Sequence, residues 1–234
     1  MATFALIHGA GDDSWYWHRV RPLLVAAGHD VVAPDLPCDD DAAGLAEYTD
    51  VVVEAIGDRG RPLVVVAQSM GGLTAPLVAA RIPVDLLVLL AAMVPVPGEA
   101  PGDLWANTGL AEDRRALDER MGLPTDGELD VVRDFLHDLP PAILAEALAR
   151  PMRDQSGTPF ADPWPLDRWP EVPTRFLLAR DDRFFPADHQ RRVVPERLGI
   201  TPDEMPGGHC VALSQPVVLA ERLLAYLDEL SSST

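Results

Sequence analysis

Lysine is missing from this chain of 234 residues: all 19 basic residues are arginine, against 37 acidic ones, for a formal net charge of −18. Without lysine there is no Schiff-base chemistry and no phosphate-binding P-loop. The deficit of positive charge argues against loose attachment to nucleic acid or anionic membranes. Cysteine is scarce as well, and Cys38 with Cys210 makes no disulfide framework. No apolar run reaches the ~18 residues of a membrane span. The N-terminus has no basic stretch ahead of its apolar residues, so Thr3 to Ile7 reads as a core strand rather than a signal peptide. Together these absences lead to the expectation of a cytoplasmic protein with neither a nucleic-acid nor a membrane partner. Histidine and cysteine never fall at metal-ligand spacing. The run Asp39-Asp40-Asp41 stands before a helical pattern, where acids favour the positive helix end. No metal and no cofactor is expected.

What the chain does have is apolar residues, 47% of the total, enough for the core of one α/β domain with an insertion. Thr3 to Ile7 is a first buried strand, closed by His8-Gly9-Ala10-Gly11. A helix follows with Trp17, Val20, Leu24 and Ala27 at helical spacing, then a short strand Val31 to Ala33. Leu45, Tyr48, Val52, Ala55 and Ile56 share one face of the next helix. Val84 to Ala92 is another almost wholly apolar strand. Strand and helix in alternation predict parallel pairing through right-handed crossovers, with helices on both faces.

The rhythm breaks after Met93. Residues 94–165 are rich in Pro, Gly, Asp and Glu, and read as an inserted helical lid between a first core segment, 1–93, and a second, 166–234. Helices are expected near Glu112–Met121, Glu128–Leu139 and Pro141–Arg150, whereas the prolines of Thr158 to Pro165 preclude a regular element. Apolar lid residues, among them Trp105, Phe135, Phe160 and Trp164, are expected to form a small core and a pocket roof. His137 is a further candidate for substrate contact. Alternation resumes with a strand at Thr174 to Ala179, a helix through Val194, a weak strand at 200–205 and a last helix from about Gln215 to Leu230.

The densest signal is Leu63-Val-Val-Val-Ala-Gln-Ser69-Met-Gly-Gly-Leu-Thr74. A strand buried on both faces stops at Ser69, and Gly71-Gly72 open a helix. So tight a turn puts residue 69 at a strained apex above the sheet, the nucleophile elbow of G-x-S-x-G with Ala67 for the first glycine. Small residues are needed at 67 and 71, where the flanking backbones approach. A Ser-x-Gly tripeptide alone merely turns a strand; between an apolar strand and a helix it marks a nucleophile. A serine is weakly nucleophilic until a base lies within hydrogen-bond reach. His209, in the Gly207-Gly208 loop before the last helix, is the candidate base. His18, His29 and His189 fall on or beside helices and read as solvated, and His8 shapes the loop after the first strand. The acid that orients the base is sought at Asp181 or Asp182, beyond the Thr174 to Ala179 strand.

These residues carry a resemblance. Phe4-Ala-Leu-Ile-His-Gly-Ala10 with Trp15 and Trp17, Pro22-Leu-Leu, Ala27-Gly-His29, the elbow, Asp182 four residues before Pro186, and His209 with Leu213-Ser-Gln-Pro216 resemble the α/β-hydrolases throughout the chain. They are similar in particular to the esterase branch that holds plant methylesterases and hydroxynitrile lyases. Gly208 departs from that branch, which often has an aspartate there. The resemblance implies a mostly parallel, doubly wound sheet of about six strands under a lid. It favours Asp182 over Asp181 as the acid, in the order Ser69, Asp182, His209. It also implies an oxyanion hole made by the backbone N–H groups of Met70, the residue after the nucleophile, and Ala10. The expected activity is cleavage of a small to medium carboxylic ester through an acyl-enzyme. Other outcomes of the same triad are natural-product tailoring, hydrolysis of a carbon–carbon bond, or a receptor without turnover. Lyase chemistry is disfavoured, because Cys210 stands where those relatives place a lysine. Analogy with the family suggests a homodimer.

Overall fold

Six short segments, apolar in all but the two outer ones, build the sheet: β1 (Thr3–Ile7), β2 (Asp30–Val32), β3 (Leu63–Gln68), β4 (Leu86–Leu90), β5 (Thr174–Ala179) and β6 (Asp203–Met205). The computed structural model describes residues 1–151 and 153–232. The strands lie in the order β2-β1-β3-β4-β5-β6, and every neighbouring pair is parallel. This is the all-parallel, two-sided arrangement that continuous apolar strands require.

Alternate side chains of each strand enter opposite layers, as the period of two dictates. Ala5, Ile7, Val65, Ala67, Leu87 and Leu89 pack on one face against Tyr48 and Val52 of α2 (Leu45–Ile56) and Leu73 and Val78 of α3 (Gly71–Arg81). Phe4, Leu6, Val64, Val66, Val88 and Leu90 pack on the other face. There they meet Tyr16, Trp17, Leu24 of α1 (Arg21–Ala26), and Leu219 and Leu223 of the last helix (Pro216–Ser232). Each such aliphatic side chain contributes about 1.5–3 kcal/mol when fully buried.

The strand order reverses between β1 and β3, which pair from Thr3↔Leu63 to Ile7↔Ala67. The loops leaving these two strands are therefore adjacent at the carboxyl edge, where ligands bind in open α/β sheets. The chain between β4 and β5 carries α4 (Leu104–Thr108), α5 (Leu110–Met121), α6 (Pro141–Ala149) and α7 (Thr158–Ala161). It is clamped to α8 (Ala187–Leu198): Arg197 donates to both oxygens of Glu99, at 2.6 and 2.8 Å, and to Val94 O at 2.7 Å. Two elements complete the fold, the short α9 (Val211–Ser214) and then α10 (Pro216–Ser232). Among the described residues no helix is long and apolar enough to cross a membrane.

Local differences from the sequence reading have local causes. The helix expected near 128–139 is a single wide turn, Val131–Phe135, because the Asp130 side chain accepts the Arg133 N–H at 2.6 Å and starts the turn late. Thr158–Ala161 does form one helical turn. Pro159 sits in its first turn, where a missing N–H costs nothing, and Asp162, before Pro163, is extended and ends it. The first helix is split into a tight turn, Ser14–Trp17, and α1, with Pro22 at the new start.

Candidate active site

Ser69 closes β3 with φ at +52°, a left-handed value rare for any residue with a Cβ. The strain is held by the neighbouring strand. Ser69 N donates to Leu90 O at 3.2 Å, and Met93 N donates back to Ser69 O at 2.8 Å. A Cβ on Gly72 would lie 2.2 Å from Met93 O, and one on Gly71 would lie 3.0 Å from His8 O. The second glycine, which the sequence pattern does not single out, is thus the tighter of the two.

His209 comes to Ser69 from the loop between β6 and α9. Its Nε2 lies 3.0 Å from Ser69 Oγ, and its Nδ1 lies 2.8 Å from Asp182 Oδ2. A carboxylate at Nδ1 fixes the ring proton there and leaves Nε2 free to accept from the hydroxyl. The other carboxylate oxygen, Asp182 Oδ1, accepts the N–H groups of Phe184 at 2.8 Å and Phe185 at 2.9 Å. Phe135, Phe184 and Phe185 meet the imidazole edge-on, with ring centroids 5.1–5.4 Å away, and all three groups of the Ser–His–Asp chain are buried. Asp181 anchors the histidine loop instead. Gly207 N donates to its Oδ2 at 3.0 Å, and Asp181 N donates to Gly207 O at 3.0 Å.

Two further groups hold that loop. Gln68 Nε2 donates to His209 O at 3.3 Å, and Gly208 N donates to Asp138 Oδ2 at 2.7 Å. A Cβ on Gly208 would meet Asp138 Oδ1 at 2.7 Å.

The loop after β1 is pinned by His8. Its Nδ1 donates to Gly9 O at 2.8 Å and its Nε2 accepts the Leu36 N–H at 3.0 Å, a neutral ring in keeping with burial, which pushes its pKa down. Ala10 and Met70 both line the cavity over Ser69, and no acceptor among the described residues engages the N–H of either. That cavity measures about 510 Å³, is mainly apolar, and has Trp105, Phe135 and Phe160 in its wall.

Two of the expected wall residues lie elsewhere. Trp164 is 2% exposed, and its Nε1 donates to Leu73 O at 3.0 Å, so it anchors the chain between β4 and β5 on α3. His137 donates from Nε2 to Asp181 O at 3.0 Å, behind the acid rather than over the serine. His189, expected in solvent, is 4% exposed and holds Asp113 of α5 at 2.8 Å. Its spacing from Val193 and Val194 on α8 is the signal in the sequence that points to this. The acidic run is also accounted for: Asp39 pairs with Arg153, and Asp40 caps the Ala42 N–H.

Asp12, Gln68, Met93, Gln155 and Phe184 also face the cavity, where the sequence gives no reason to expect them. Asp12 follows the Ala10 loop, and burial pushes its carboxyl up to about 6. A folded-state value above the ordinary one means stability that is complete below about pH 4 and is lost as pH rises through 6. Asp12→Asn keeps an acceptor for the Asp13 N–H and removes the charge. It is expected to stabilise the fold by about 2–3 kcal/mol at pH 8 and by nearly nothing at pH 4. Urea unfolding at the two pH values measures this, and an equal change at both would contradict it.

A model of the alpha/beta hydrolase family matches residues 4–222 of the chain. The chain belongs to that family. A pyrethroid hydrolase of Sphingobium wenxiniae is 30% identical over 95% of this chain and 86% of its own. Methylesterase 7 of Arabidopsis thaliana is 26% identical over 97% of this chain and 96% of its own. Among solved structures, a pyrethroid hydrolase from Sphingobium faniae superposes with a TM-score of 0.74 at 24% identity, covering 97% of both chains. Polyneuridine aldehyde esterase superposes with a TM-score of 0.73 at 20% identity, covering 97% of this chain and 99% of that one. These two likenesses speak to the fold, which is that of the hydrolase family.

Proposed function

We propose that this alpha/beta hydrolase cleaves small to medium carboxylic esters through an acyl-enzyme on Ser69. The observation that carries the reading is the unbroken chain from Ser69 Oγ through the His209 ring to the Asp182 carboxylate, at 3.0 and 2.8 Å. Ser69 Oγ attacks the ester carbon as its proton passes to His209 Nε2. The carbonyl oxygen becomes an oxyanion facing the N–H groups of Ala10 and Met70. The imidazolium then protonates the departing alkoxide. Water, deprotonated by the same nitrogen, attacks the acyl-enzyme and frees the carboxylic acid and the serine. Asp182 stabilises the imidazolium without taking its proton. Each donor to the oxyanion is worth about 3 kcal/mol of barrier.

Ester-cleaving relatives support the substrate class: a pyrethroid hydrolase, methylesterases and polyneuridine aldehyde esterase are among them. In this reading residues 94–165 act as the lid, with Trp105, Phe135 and Phe160 against the apolar part of the substrate. Cys210 gives no cation beside His209 for a lyase reaction, and burial pushes its thiol up, so it stays neutral.

A fluorophosphonate probe tests the assignment. A single adduct is expected, on the peptide that holds Ser69, together with turnover of p-nitrophenyl butyrate. An adduct on any other peptide, or none with no turnover, would refute the reading.

A further inference from the structure

The chain returning from the insertion runs directly against the loop that holds Ala10. Gln155 Oε1 accepts the Gly11 N–H at 3.1 Å, while Gln155 Nε2 donates to Tyr48 Oη at 3.1 Å and to Ser156 O at 3.0 Å. Arg153 Nη1 donates to Asp12 O at 3.1 Å, and its Nη2 donates to Leu36 O at 3.2 Å and Asp39 Oδ1 at 2.9 Å. Ser156 N donates to Cys38 O at 2.6 Å, and Arg150 pairs with Asp13. The contact has no slack: Gly11 has φ at +62°, and a Cβ there would lie 3.0 Å from Arg153 O. Ala10 therefore sits between two fixed points. His8 grips Gly9 on one side, and the returning arm grips Gly11 and Asp12 on the other.

We propose that residues 153–156 set the oxyanion hole, with Gln155 and Arg153 as positioning residues that keep the Ala10 N–H turned toward the substrate carbonyl at Ser69. The proposal rests on the ester-hydrolase reading of Ser69. A peptide plane has one soft dihedral on each side, so fixing the planes that flank residue 10 fixes where its N–H points. Gln155 and Arg153 also line the cavity. A substrate that packs against them bears on the arm that aligns the hole, and so expresses its fit in kcat rather than in KM. The insertion is thereby part of the catalytic apparatus through its return arm as well as a cover.

Gln155→Leu removes the acceptor for Gly11 at similar volume, whereas Gln155→Glu keeps an acceptor. On p-nitrophenyl butyrate, Gln155→Leu should lower kcat about tenfold or more with KM changed less than about twofold, a partial version of losing one oxyanion donor. Gln155→Glu should restore most of the kcat. Affinity for a trifluoromethyl ketone, whose hemiketal oxyanion occupies the hole, should fall in step with kcat/KM. Arg153→Met should move the same quantities in the same direction, which covers the case of a Gln155→Leu protein that does not fold. The proposal is overturned if Gln155→Leu keeps its kcat, if Gln155→Glu is as impaired as the leucine variant, or if the losses lie in KM. It fails alone when the wild type turns over and is labelled on Ser69 while these variants match it. An unlabelled, inactive wild type strikes the ester-hydrolase reading instead.

Discussion

Ser69→Ala should lower kcat on an activated ester by about 10⁴- to 10⁶-fold, the scale on which a serine nucleophile is lost from a triad. The residual rate is what the oxyanion donors and binding supply without covalent chemistry. The fold should survive, because Ser69 takes part in the elbow through its backbone, donating to Leu90 O and accepting from Met93 N, and alanine keeps both bonds. The left-handed φ of +52° adds an internal check. Ser69→Gly should be equally inactive yet at least as stable as Ser69→Ala, since release of about 1–2 kcal/mol of backbone strain offsets glycine's larger unfolded-state entropy. Paired kcat and thermal unfolding measurements decide it, and a Ser69→Ala protein within tenfold of wild type would remove the nucleophile from residue 69.

Asp182→Asn should cost about 10⁴-fold in kcat with the side chains still in place. The size follows from which end of the new amide can face which partner. The N–H groups of Phe184 and Phe185 point at Oδ1, so the amide oxygen must stay there. The NH₂ is left facing His209 Nδ1, which then has to accept. The ring proton moves to Nε2, the nitrogen that has to take the proton from Ser69 Oγ 3.0 Å away. A base in the wrong tautomer cannot act, although nothing has shifted by an ångström. Steady-state kinetics with circular dichroism tests this, and a drop of less than about tenfold in a folded protein would mean that Asp182 does not govern the imidazole.

The parts of this site that are legible in the sequence are those fixed by local chemistry. A strand buried on both faces that breaks into Ser69-Met70-Gly71-Gly72 has few conformations open to it, and the structure shows the turn that the pattern demands. The order of strands and helices then places residues 10, 69, 182 and 209 at one edge of the sheet. Trp164, His137 and His189 depart from the sequence reading for one shared reason. Each lies in or against the chain between β4 and β5, where contacts are made across more than forty positions: Trp164 with Leu73, His137 with Asp181, His189 with Asp113. Nothing in the periodicity of an irregular, proline-rich segment reports which neighbour lies across from it. The cavity residues Asp12 and Gln155 are polar, and a polar side chain in a loop reads as solvent-facing until tertiary packing shows otherwise.

The two outer strands of the sheet, β2 and β6, are only three residues each. Their acids are already occupied: Asp30 by Arg59, Glu204 by Arg191, and Asp203 by the Tyr226 hydroxyl. Neither border offers an unclaimed ribbon of amides long enough to template a foreign strand. An incoming strand would find only three residues to pair with along β2 or β6, so the short borders blunt edge-to-edge growth of this sheet.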